Sequence, residues 1–344
     1  MEYRFYVGGY TKSPGEKGVH LICLDTESGA LRLLDSYFGG ERPSFLIRAG
    51  DYLYTANETG GKGYVSALSI GEDGGLTFLN SSEASGAGTC HVAEMNGYLY
   101  AANYSSGSIF GVEILDDGSL GKVVAEFKHE GSGPNPDRQT KPYAHSVNPV
   151  PGDNLLIAAD LGADKLFFYR QNKKDGSLSK DENTPFITMP AGGGPRHLAF
   201  SPCGNRFYAV MEMGITVVCC KKTDGVWEFD AEYPMIDGSF TDNDTAADIH
   251  FIESGKKLYA SLRGQNLISV FDVSSDGELK LTGTYPTFGN SPRNFCISPD
   301  EKYILITNQA SGQVTACPVN SETGALGAMT GCLEIPGVSC VINA

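Results

Sequence analysis

One short element recurs along the whole 344-residue chain, and it constrains the fold more than any other feature. Turns of one type stand at Ser28-Gly29-Ala30-Leu31, Asp73-Gly74-Gly75-Leu76, Asp117-Gly118-Ser119-Leu120, Asp175-Gly176-Ser177-Leu178, Asp224-Gly225-Val226-Trp227, Asp276-Gly277-Glu278-Leu279 and Thr323-Gly324-Ala325-Leu326. Seven copies about 49 residues apart mark a repeat architecture. Glycine supplies the positive φ that a tight hairpin turn needs. Two β-rich runs precede each turn, for example DYLYTANET and YVSALSI, and a short apolar run such as SFLI, CHVAE, AHSVN, RHLAF, DIHFI or RNFCI comes before those. That gives six leading strands for seven units, and the missing one is the tail, GVSCVIN, at Gly337 to Asn343. The pattern predicts an all-β, seven-bladed β-propeller with four antiparallel strands per blade. Residues 1–344 form a single domain, and the ring is closed by the C-terminal strand pairing in the blade begun by the N-terminus. A sandwich is the alternative, and seven regular periods with displaced termini argue against it. No segment carries a sustained 3.6-residue apolar stripe, so helix content is expected to be low.

Composition narrows the partners. The formal charge of −15 repels phosphate backbones, which excludes nucleic acid and anionic membrane as partners. Nine cysteines without a Cys-x-x-Cys read as free thiols of a reducing compartment. The opening MEYRFYVGGYT has no apolar core with a cleavage site, and no run approaches the length of a membrane helix. A cytoplasmic protein, monomeric or weakly self-associating, is expected. The chain has no nucleophile elbow, no His-Glu-x-x-His, no zinc-finger spacing and no dinucleotide or phosphate-loop fingerprint, so neither cofactor nor metal is expected.

Within each blade, successive strands from the axis outward can be lettered A to D. Antiparallel order then puts the links between blades and the ends of strands B on one face, and the seven glycine turns on the other. The first face collects Arg42, Arg138, Arg196, Arg263 and Arg293, half of the chain's ten arginines, from five blades. His91, His145, His197 and His250 fall there too, with Asn57, Glu58, Asn103, Tyr104, Asp160, Glu212, Asn308 and Gln309. Guanidiniums suit bidentate binding of carboxylate or phosphate, so this set points to a small anionic ligand. Asp248 with His250, and His91, read more naturally as ties between blades. The longest link, Glu130 to Val147, is rich in Gly and Pro and delivers Arg138, Gln139 and His145, as functional loops do.

The segments VGGYT, DTESGAL, YLYTANE, AANYSSGSIFGVEI, GPNPDRQTKPYAHSV, ADLGADKLFFY, GPRHLAF, ADIHF, RGQNLISVF, PRNFCISPD and NQASGQV stand in the order and spacing of the seven-bladed propeller lactonase family, which the chain resembles from end to end. The bacterial members include propeller-type 6-phosphogluconolactonases, and a fungal branch cyclises carboxymuconate. The resemblance implies hydrolysis of 6-phospho-D-glucono-1,5-lactone to 6-phosphogluconate, the second step of the oxidative pentose phosphate pathway. It maps the family's polar mouth onto His145, Arg196, Glu212 and Arg263. Tyr143 stands where a histidine is frequent in the family, and Met213 where leucine is usual.

Opening a lactone needs a base to activate water, a cation at the developing oxyanion and an anchor for the phosphate. Glu212 or His145 is expected as the base and Arg196 as the oxyanion partner. Arg263, Arg293 and Arg138 are expected on the substrate, with His197, Asn103 and Gln309 beside it, and no metal or covalent intermediate is required. Two readings stay open alongside: a cycloisomerase using the same cations on a polycarboxylate, and a non-catalytic propeller that binds a small anion or a protein.

Overall fold

The computed structural model of the chain describes residues 1–252 and 254–344, which form seven antiparallel sheets around one axis and no helix. Blade 1 takes its innermost strand from Val338–Asn343, followed outward by Glu2–Gly9, Val19–Asp25 and Leu31–Tyr37. The inner strands of blades 2 to 7 are Pro43–Ala49, Thr89–Met95, Ala144–Pro149, Pro195–Phe200, Thr245–Phe251 and Pro292–Ile297. Closure is therefore of the expected kind: Val338–Asn343 pairs antiparallel with Glu2–Gly9, Tyr6 opposite Ile342. Blade 4 departs from the four-strand plan. Its outer strand is split into Leu178–Lys180 and Phe186–Thr188, and both pieces pair with Lys165–Gln171.

There is no single central core. Each apolar cluster lies between two neighbouring blades: Tyr208, Val210 and Val217 of blade 5 pack on Leu258, Ala260 and Phe271 of blade 6. Phe5 and Val7 of blade 1 pack on Leu305 and Val314 of blade 7. Strands B and C are covered on both faces and read as continuous apolar runs, such as Val19–Asp25. The outer strands alternate between exposed and half-buried residues, as in Leu279–Pro286.

Two repeated devices hold the ring, one at each end of strand B. At the far face, the strand B tyrosines donate their hydroxyls to glycine carbonyls in the next blade's C–D turn. The pairs are Tyr6 with Gly74, Tyr54 with Gly118, Tyr100 with Gly176, Tyr208 with Gly277 and Tyr259 with Gly324, at 2.7–3.0 Å. Blade 7 uses Tyr303 on the carbonyl of Thr26, and in blade 4 the position is Ile157. At Gly118 the turn needs glycine twice over: φ is +79°, and a Cβ would come within 2.0 Å of the Tyr52 ring.

At the near face every inner strand carries a bulge at the same place. The pairing with strand B slips at Ser339, Ser44, Cys90, His145, Arg196, Ala247 and Arg293, in blades 1 to 7 respectively. A bulge inserts one extra residue and re-aims the side chain it carries. On strand B, the residues that follow the partner of each pre-bulge residue form a second ring: Tyr10, Glu58, Tyr104, Leu161, Glu212, Arg263 and Gln309.

Candidate active site

The two rings meet around a cavity of about 180 Å³ at the near mouth of the axis, lined by Tyr10, Glu58, Cys90, Tyr104, Arg138, His145, Glu212, Arg263 and Arg293. Five of the nine are strand B end residues, three are bulge residues, and Arg138 comes from the long link. The link is built to hold it. Asn135 folds an Asx turn, its Oδ1 accepting from the amides of Asp137 and Arg138. Buried Gln139 pins the loop by donating to the Leu161 carbonyl at 2.8 Å and to Asp164 at 2.6 Å.

Glu212 is the centre of charge. Arg138 donates to its Oε1 at 2.6 Å, Arg196 to its Oε2 through Nε at 3.0 Å, and Arg263 approaches the same oxygen at 3.1 Å. Burial opposes ionisation of this carboxyl, but Arg263, Arg196 and Arg138 outweigh burial and hold it down at about 2. On the other side of the cavity Arg293 stands 3.9 Å from Glu58, which accepts the Tyr10 hydroxyl. Burial pushes the Tyr10 phenol up to about 12, against the pull of Arg293. Four guanidiniums against two carboxylates leave the site with a two-unit positive surplus inside a protein of net charge −15.

The expected residues are thus distributed unevenly. His145, Glu212, Arg138, Arg263 and Arg293 line the cavity. Arg196 does not: it is 1% exposed, behind Glu212, and its guanidinium also donates to the Ala247 carbonyl of blade 6. Burial, then Arg263 and Arg293, lower it to about 10, so it remains a cation at neutral pH. His197 is one step deeper along the axis, bonded to Asp248 at 2.7 Å. Asn103 is buried at the end of strand B of blade 3, donating to the Ser85 carbonyl. The same position in blades 2 and 7, Asn57 and Asn308, serves the same purpose on Gly39 and Thr287. Gln309 lies outside the lining, and Arg42 stands over the Tyr10 ring at 5.0 Å. Asp248 does tie blades, accepting from Asn294 and from the Phe295 amide of blade 7. The sequence pattern alone does not mark Tyr10 and Cys90, yet both line the cavity from ring positions shared with Glu212 and His145.

His145 is 5% exposed, and its Nδ1 is buried without a partner. Burial, then Arg196, His197 and Arg293, hold it well below the ordinary histidine range. The ring is therefore neutral at pH 7 and carries a free lone pair, while Glu212 is permanently charged and weakly basic. Among the described residues no group of three or more His, Cys, Asp or Glu is placed to hold a metal ion.

A family model for "Lactonase, 7-bladed beta-propeller" matches residues 4–343. The chain belongs to the seven-bladed β-propeller lactonase family. Among its lactonase relatives, a Bacillus subtilis protein named 6-phosphogluconolactonase is 34% identical, over 99% of this chain and 98% of its own length. A Formosa agariphila protein of the same name is 32% identical, over 93% and 94%. The structure of a Pseudomonas aeruginosa periplasmic gluconolactonase superposes with a TM-score of 0.92 at 26% identity, over 99% of both chains. A Bacteroides fragilis structure reaches 0.93 at 30% identity, over 100% and 98%.

Proposed function

We propose that the chain hydrolyses a sugar δ-lactone carrying a phosphate, 6-phospho-D-glucono-1,5-lactone, to the open acid. The observation that carries this reading is the positive surplus around a small cavity that also holds a neutral histidine. The lactonase names of full-length relatives support the reaction class. The surplus of guanidinium supports an anionic substituent on the sugar.

In this reading His145 is the general base. A neutral imidazole accepts the proton of an attacking water, whereas Glu212, held at about 2 by three arginines, has little affinity for one. Glu212 instead gathers Arg138, Arg196 and Arg263 and fixes where their remaining N–H groups point. Arg263, at 15% side-chain exposure on the cavity wall, is the cation for the tetrahedral oxyanion, with Arg196 reinforcing Glu212 from behind. Arg293 and Arg138 hold the phosphate. A δ-lactone is already an activated ester, so water attack needs no covalent enzyme intermediate.

Freshly prepared phosphogluconolactone, mixed with pure protein in weak buffer, should release acid faster than it does spontaneously. Absence of acceleration, or loss of ultraviolet absorbance from a muconate-type substrate instead, would refute the assignment.

A further inference from the structure

Behind the cavity, the axis is filled by a chain of rings and one carboxylate that the reaction as described leaves without a purpose. His145 and His197 lie edge to face, centroids 5.3 Å apart at 68°. His91 contacts His197 in the same way at 5.1 Å and stacks on Phe45 at 4.2 Å. Three facing nitrogens and one backbone amide surround Asp248. Its Oδ1 is 2.7 Å from His197 Nδ1, and its Oδ2 receives Asn294 Nδ2 at 2.6 Å, His250 Nε2 at 2.8 Å and the Phe295 amide at 3.3 Å. Two buried ring nitrogens have no partner, His145 Nδ1 and His197 Nε2, and they belong to the two neighbouring rings.

We propose that Asp248 and His197 are positioning residues that set the tautomer of His145, so that its Nε2 is the bare nitrogen available to substrate water. An ionised carboxylate only accepts hydrogen bonds, so the His197 nitrogen facing Asp248 carries the proton. Neutral His197 then presents Nε2 as an unprotonated acceptor. A buried acceptor left unpaired costs about 1–3 kcal/mol. The unpartnered nitrogen on the adjoining ring, His145 Nδ1, relieves that cost by carrying a hydrogen and directing it at the His197 ring. The hydrogen on Nδ1 leaves Nε2 with its lone pair.

This inference rests on the hydrolase reading for its consequence. Water oxygen bonds to the lactone carbonyl carbon while its proton moves to His145 Nε2. As the tetrahedral adduct collapses, the bond from that carbon to the ring oxygen breaks and the ring oxygen takes the proton back from Nε2. The transient imidazolium is steadied through Nδ1–H by His197 and, beyond it, by Asp248. Burial, Arg196 and His250 lower His197 to about 4 against the pull of Asp248, which keeps it an acceptor at neutral pH. The titratable and charged groups facing the two rings are Arg196 on the strand of His197, His91, Cys90 and Tyr104 of blade 3, Asp248, His250 and Arg263 of blade 6, and Arg293 of blade 7.

Nitrogen-15 NMR of the histidine rings in the intact protein tests the proposal directly, with His145→Gln used to assign the resonance. His145 should be in the Nδ1–H form in the wild type. Asp248→Asn can donate to His197 and should turn His145 to the Nε2–H form. In the same variant kcat for the lactone should fall at least 100-fold with KM within about three-fold; inverting a base histidine by such an exchange costs up to about 10⁴-fold in serine hydrolases. Because Asp248 also ties blades, His197→Phe provides a second arm: it should lose the tautomer preference and at least ten-fold in kcat. His250→Gln, on the outer oxygen of Asp248, should leave kcat within three-fold. A wild-type His145 found as Nε2–H, or a tautomer unchanged in Asp248→Asn, overturns the relay. A tautomer switch in a protein that turns over no lactone supports the relay and overturns the hydrolase reading.

Discussion

The two ends of strand B obey opposite rules. At the far end five blades carry the same tyrosine bonded to the same turn glycine, and a sixth carries a close variant. At the near end, the equivalent ring position holds Tyr10, Glu58, Tyr104, Leu161, Glu212, Arg263 and Gln309, seven residues of five types in chemistry and charge. The bulge ring beside it is as mixed, from Ser339 to Arg293. What repeats closes the ring; what differs from blade to blade makes a pocket. A seven-fold frame by itself offers only identical positions, and an asymmetric site requires that some of them be broken individually. The near-end asparagines show the rule operating within a single face. Asn57, Asn103 and Asn308 repeat, and all three are spent on turn carbonyls.

The sharpest break between the two ends should come from His145. His145→Ala is expected to lower kcat by about 10²–10⁴-fold, the usual contribution of a general base. The His145 ring touches Tyr104 of blade 3 and His197 of blade 5, but its truncation leaves the same seven sheets to unfold, so the urea m-value should remain that of the wild type. Activity within ten-fold of wild type would remove His145 from the reaction.

Acid should expose the same division as a stability effect. His197 is held at about 4 in the folded protein, while the unfolded chain titrates near 6.5. The folded state therefore binds fewer protons between those values, and stability is lost as pH falls from 6.5 toward 4, by about 3 kcal/mol for this residue. Asp248 and Glu212 add to the loss at lower pH, their carboxyls being depressed in the fold by His250 and His197 and by the arginines against the cost of burial. His250, raised by Asp248 against burial, works in the other direction and favours the folded state below its ordinary value. Thermal melts from pH 8 to 4 should show a steeper acid fall in the wild type than in His197→Gln. Parallel curves would mean that the channel histidine is not held neutral.

A smaller effect should separate anchoring from chemistry. Arg293 is 18% exposed and faces the cavity beside Glu58. Charge-assisted hydrogen bonds are worth about 1.5–3 kcal/mol. Arg293→Met is expected to raise KM for the phosphorylated lactone about 10–100-fold, while KM for unphosphorylated gluconolactone moves less than three-fold. Equal effects on both substrates would take the phosphate away from Arg293.

The ring and its closure were fully legible in the sequence, because Gly74, Gly118, Gly176, Gly277 and Gly324 repeat at a readable period and the tail supplies the absent strand. The face that carries the site was legible too, since strand direction alone sends Arg138, His145, Glu212, Arg263 and Arg293 to one mouth. Which neighbour points inward was not. A strand alternates its side chains, but a bulge shifts that phase by one residue, and nothing in GPRHLAF marks the slip at Arg196. Hence Arg196 went behind Glu212 and His197 into the channel, although both were expected on the substrate. The clamping of Glu212 by three guanidiniums from separate segments was equally hidden, because it is a property of the closed ring and of no single segment.

The mildest test lies at the far end. Tyr259→Phe removes one hydroxyl, leaves the apolar packing of the ring intact and strips the Gly324 carbonyl of its 2.9 Å donor. The expected cost is about 0.5–1.5 kcal/mol in urea unfolding, with kcat/KM unchanged. Tyr54→Phe, in blade 2, breaks the same contact to Gly118 between a different pair of blades. Sites that share no partner add, so the double variant should lose the sum of the two and still turn over lactone normally. A double variant that loses activity while each single one keeps it would mean that strain at the far face reaches the pocket through strand B. The two ends would then not be independent, and the division between closing the ring and making the site would fail where it matters most.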